Sequence, residues 1–184
     1  MKKIIALALS LMLLLGCAAA VAESAEKESI TMLGAFSIRY DKLPEGYKLN
    51  VLKNSEMEYE AVITTAEAGK PDYVLVMEFS DAWDGVNTLA DATEADIAAV
   101  KESFYEVTEL DDGDIVFEDG KTGLGTPVLI AKDVNGSFAS VYSIYMSHEI
   151  EVVMYPAEGS TVTDADVERA IAFLTNVEFV PLEK

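Results

Sequence analysis

Short runs of alternating apolar and polar side chains dominate this chain, and only two segments widen to helical spacing. Phe36-Ser37-Ile38-Arg39-Tyr40 has the period of two that a half-buried strand requires, and Leu43-Pro44-Glu45-Gly46 punctuates its end. Tyr59 to Thr65 and Tyr73 to Phe79 read the same way, and Ala68-Gly69-Lys70-Pro71-Asp72 between them suits a loop joining antiparallel neighbours. Asp119-Gly120 and Asn135-Gly136 each predict a hairpin turn, because glycine tolerates the positive φ that a tight turn needs. A register centred on Asn135-Gly136 pairs Lys132 with Ala139, Ile130 with Val141 and Val128 with Ser143 on one face. It leaves Leu129, Ala131, Phe138, Tyr142 and Ile144 on the other. Both faces are apolar, so both are expected to be covered. Ile150 to Tyr155 gives a last strand, stopped by Pro156.

The two helical segments share a start signal. Thr93 and Thr163 each stand three residues before an aspartate, Asp96 and Asp166, which is the arrangement of a capping box. Ile97, Val100, Phe104 and Val107 form the first apolar stripe, and Val167, Ile171, Leu174 and Val177 the second. Helices are predicted over Thr93 to Val107 and Thr163 to Asn176. The expected fold class is α+β, a central antiparallel sheet flanked by two main amphipathic helices.

The N-terminal segment speaks to location. Lys2 and Lys3 precede an apolar run from Ile4 to Leu15, and Ala20-Val21-Ala22 supplies a small-x-small cleavage signal, so residues 1–22 read as a secretory signal peptide. Leu14-Leu15-Gly16-Cys17 also looks like a bacterial lipobox. The alternative is therefore a lipoprotein signal over residues 1–16 with a lipidated Cys17 holding the protein on a membrane. Continued apolarity from Ala18 to Ala22 favours cleavage after Ala22. Residues 23–29 read as a polar tether and residues 30–184 as one domain. The expected location is exported, secreted or in the cell envelope.

Charge narrows the partners. The chain carries 13 basic and 33 acidic residues, a net charge of −20, and loss of Lys2 and Lys3 with the signal makes it more negative. Such a surface repels nucleic-acid backbones and anionic lipid heads, so neither is an expected partner, and contact with a membrane is expected only through the signal or a lipid. A partner protein or small ligand, cationic by complementarity, remains. Cys17 is the only cysteine, so no disulfide is expected.

Catalytic signatures are missing where the residues hint at them. Gly120-Lys121-Thr122 lacks the glycine a phosphate-binding loop needs five residues earlier, where Ile115 stands. His148-Glu149 lacks the second histidine of a zinc-protease motif, since position 152 is Val, and this lone histidine is expected in a loop between strands. Asp111, Asp112 and Asp114 around Gly113 read as a solvated turn, and Asp164, Asp166 and Glu168 lack the glycine of a calcium loop. No metal, cofactor or catalytic residue is assigned, and the acids are expected mostly in polar loops or on solvent-facing helix surfaces. Asp81, Trp83 and Asp84 form the candidate ligand-binding group, an aromatic among carboxylates that can anchor a sugar or cation. The competing role for Trp83 is packing over the edge of the core.

The Phe36–Tyr40 strand, the Pro44-Glu45-Gly46-Tyr47 turn, a middle helix, the hairpin run and a closing amphipathic helix together resemble the PsbP-like family over about residues 30–180. That resemblance implies an antiparallel sheet flanked by helices and, among its members, small bacterial envelope lipoproteins. It carries no catalytic residue onto this chain. The expected function is a non-catalytic exported domain that binds a partner protein or ligand. The alternative is a carboxylate-based hydrolase or a carbohydrate-binding protein.

Overall fold

The computed structural model describes residues 28–32, 36–40, 43, 45–55, 57–175 and 177–181. The signal segment, Cys17 and most of the expected tether lie outside the described residues. At the tether's end Glu28 and Ser29 already pair with Tyr40 and Arg39, so strand structure opens two residues earlier than the polar composition implies.

Three strands, β1 (Glu28–Met32), β2 (Phe36–Tyr40) and β10 (Val177–Pro181), form a small antiparallel sheet in the order β1-β2-β10. The main sheet contains β3 (Tyr47–Asn54), β4 (Glu58–Thr65), β5 (Asp72–Phe79), β6 (Ile115–Lys121), β7 (Pro127–Asp133), β8 (Ala139–Tyr145) and β9 (His148–Tyr155). Its strands are ordered β3-β4-β5-β9-β8-β7-β6, with every neighbour antiparallel. With the helices α1 (Glu94–Thr108) and α2 (Asp164–Thr175), the class is mixed α+β with the sheet predominating.

The β7–β8 hairpin has the expected register, Lys132 opposite Ala139 and Ile130 opposite Val141. Its turn is shaped by Asp133, whose carboxylate accepts from the backbone N–H of Asn135 at 3.0 Å and of Ser137 at 2.8 Å. Gly136 takes φ 72° there. The turn expected at Asp119-Gly120 is displaced: both residues lie inside β6, and the chain reverses over Thr122 to Thr126. Gly120 serves close packing instead, since a Cβ there would stand 3.0 Å from Val128 Cγ2 and Ile130 Cδ1. His148 is likewise not a loop residue. It opens β9 opposite Tyr145, across a two-residue turn in which Met146 and Ser147 both have positive φ. That turn carries no glycine or asparagine signal.

Both helices start where the threonines predict. Thr93 accepts from the Asp96 N–H while the Asp96 carboxylate accepts from the Thr93 N–H at 2.8 Å, and Asp166 accepts from the Thr163 N–H at 3.0 Å. Their buried faces differ from the expected stripes. Val100 and Phe104 are buried in α1 but Val107 is exposed. In α2 Val167, Ala170, Phe173 and Leu174 are buried, and Val177 falls in β10. Side chains of β7 alternate between two cores. Val128 and Ile130 pack with Val167, Phe173 and Leu174 of α2, whereas Leu129 and Ala131 pack with Val100 and Phe104 of α1.

Candidate functional site

A cavity of about 350 Å³ lies beside the start of α2, bounded by β6, the β7–β8 turn and the Thr161–Thr163 approach to the helix. It exists because the β7–β8 turn meets that approach at backbone level: the Val162 N–H donates to the Gly136 carbonyl at 2.9 Å. A Cβ on Gly136 would stand 2.8 Å from Thr161 Cβ, so the close approach depends on glycine. Apolar walls come from Val116, Phe138, Val162 and Val167. Lys132 supplies the central charge, its ammonium 2.8 Å from Glu118 and 3.2 Å from Asp164. The hydrogen bond to Glu118, aided by Asp164, raises its pKa and keeps it protonated. Burial opposes ionisation of Asp133, but hydrogen bonds from Ser137 and Asn135 outweigh it and hold that carboxyl below its usual range. The volume suits a small metabolite, with an apolar body against the valines and a polar group toward Lys132. A second cavity of about 210 Å³ is mainly apolar, lined by Leu124, Tyr145, Ile150 and Leu174 among others.

The sequence-predicted group is split. Asp81 and Asp84 are exposed, whereas Trp83 between them is 4% exposed, turned inward by a 3-10 turn over Asp81–Trp83. Its indole N–H donates to Glu149 Oε1 at 2.8 Å. The aromatic does sit beside a carboxylate, but one from β9 and not from its own loop.

Glu149 and Glu151 correct the expectation that the acids stay in polar loops and on helix surfaces. They lie on the same face of β9 and are 9% and 5% exposed. Burial pushes Glu149 up to about 6, against the lowering effect of the Trp83 bond, with Glu78 adding to the rise. Burial pushes Glu151 up to about 7, against the hydrogen bond from Ser140 at 2.5 Å. His148, 3% exposed, has its pKa lowered by burial; Nδ1 lies 2.7 Å from the Met146 carbonyl and the ring stacks edgewise on Phe79. Among the described residues no group of three or more His, Cys, Asp or Glu is placed to hold a metal.

Neither Lys132 nor the two glutamates carried a sequence signal. The sequence pattern puts Lys132 on a strand face, but the cavity needs α2 brought against β7, a contact between residues 32 apart in the chain. No family model matches the chain, and no curated protein or solved structure matches it either.

Proposed function

We propose that this protein is an exported, non-catalytic domain that binds a small amphipathic ligand in the cavity beside α2. The observation that supports this most is the mixed lining: apolar walls for a ligand body converge on one lysine whose bridge to exposed Asp164 is weak enough to be exchanged. The finer architecture belongs to the same reading, with α1 and α2 covering opposite faces of the main sheet as the alternation along β7 supports. So does a PsbP-like relationship, supported by the order of elements, and an envelope or secreted location, supported by the apolar N-terminal segment.

The test is ligand-observed NMR of the full chain against a library of soluble metabolites, repeated on Val116→Trp, which fills the cavity mouth from an exposed position on the edge strand β6. Binding lost in the filled variant supports the proposal. A blank screen, or hits that survive filling, overturns it.

A second reading, a carboxylate hydrolase, is supported by the two buried glutamates whose pKa values approach neutrality. Neither glutamate lines either of the cavities described above. Turnover that disappears in Glu149→Gln or Glu151→Gln with folding unchanged would promote this reading over the binding domain.

A further inference from the structure

Away from the cavity, the register of the main sheet brings like charges together. Glu58 of β4 stands opposite Glu78 of β5, which stands opposite Glu149 of β9. In the next row on that face come Glu60, Val76, Glu151 and Tyr142, on β4, β5, β9 and β8. Carboxylates directly opposite one another destabilise a sheet. Lys53 pairs with Glu58 at one end of this array, and among the described residues the inner acids Glu149 and Glu151 are held by neutral donors, Trp83, Ser80 and Ser140.

Tyr142 gives the array a direction. Its side chain is fully buried with the ring edge-on to Phe104 at 6.4 Å, and its hydroxyl has no hydrogen-bond partner among the described residues. That hydroxyl lies in the field of both Glu149 and Glu151 and beside Trp83, whose single N–H is already given to Glu149. A buried hydroxyl without a partner costs about 1–3 kcal/mol. It therefore marks a place where a hydrogen-bonding group belongs.

We infer that this face binds a primary ammonium group, carried by a short alkyl amine, between Glu149, Glu151 and the Tyr142 hydroxyl. An ammonium offers three donors, and two carboxylates and a phenol oxygen accept three. It also supplies the positive charge the inner acids lack. Glu149 and Glu151 keep a residual exposure of 9% and 5%, so a small cation can approach them from solvent. The alkyl part has its own seat, because the adjoining row on the same face is Val62, Val74 and Val153. Rows two residues apart along a strand are separated by about 7 Å, roughly the reach of a four-carbon chain.

The probe is butan-1-amine, titrated calorimetrically into the full chain near pH 6.5 in two buffers that differ in ionisation enthalpy. Binding with release of protons into the buffer is expected, since the cation displaces protons held by the glutamates. Tyr142→Phe, which keeps the ring, should weaken binding about tenfold or more. Glu149→Gln and Glu151→Gln, which keep side-chain shape, should each reduce the proton release and remove most of the affinity, while Val116→Trp at the cavity beside α2 should change nothing. No binding, or binding of equal strength in Tyr142→Phe and both glutamine variants, overturns the inference. The latter would be general attraction to an acidic surface. If one of these variants fails to fold, the remaining two carry the comparison.

Discussion

Replacing Glu151 by Gln should stabilise this protein at alkaline pH and do little at acid pH. The folded state holds a proton on this carboxyl up to about pH 7, whereas the unfolded chain releases it near 4.5. A group raised in this way contributes stability that is full below the unfolded value and is lost as pH rises through the folded one. The gap corresponds to about 3 kcal/mol at pH values above both, and near pH 7 to a slope of about 0.7 kcal/mol per pH unit. Glu149, raised to about 6, acts in the same sense with about 2 kcal/mol. Asp96, Asp133 and Asp166 are lowered and act in the opposite sense, in a window below their ordinary value of 3.8. His148, lowered from 6.5, favours the folded state as pH rises through that value, and its contribution is complete about one pH unit above it. The interval from about pH 7 to 8 therefore belongs mainly to Glu151. Urea unfolding across it should show wild-type stability falling, and Glu151→Gln remaining flat and ending up to about 3 kcal/mol more stable. A wild-type profile that is flat or rising there, or a variant equally destabilised at both ends, would refute the burial argument.

Thr93→Ala should lower stability by about 1 kcal/mol by removing the acceptor for the Asp96 N–H, and Thr93→Ser should restore it, as thermal unfolding would show. Gly120→Ala should cost about 1–3 kcal/mol through contact with Ile130 Cδ1 and Val128 Cγ2, and Ile130→Val, which deletes the Cδ1, should recover part of that loss in the double variant. Intact mass spectrometry of protein made in its native host should find an N-terminus at Glu23; a lipid-modified Cys17 would instead establish the lipoprotein alternative.

Local signals located most of the secondary structure. The threonine–aspartate pairs gave both helix starts, and Asn135-Gly136 gave the β7–β8 register, because each acts within a few residues of itself. Gly120 misled for a related reason. A glycine after an aspartate signals a local turn, whereas this one answers to side chains on the neighbouring strand. The pairing of β10 with β2 joins residues far apart in the chain and left no mark in either segment. Glu149-Ile150-Glu151 alternates like any half-exposed strand, and only the central position of β9, with Trp83 and Tyr142 against that face, buries the glutamates. The cavity was hidden similarly, since Lys132 alternates as an ordinary polar strand residue until α2 is set against it.

The central claim, that the cavity beside α2 is a ligand site, is tested most directly by methyl NMR of the full chain in the presence of the compounds it binds. The methyl resonances of Val116, Val162 and Val167 should shift with ligand while those of Leu75 and Ile63, on the strands β5 and β4 that do not border the cavity, stay fixed, and Val116→Trp should abolish the response. Shifts confined to residues outside the cavity, or no shift at saturating ligand, would contradict the account.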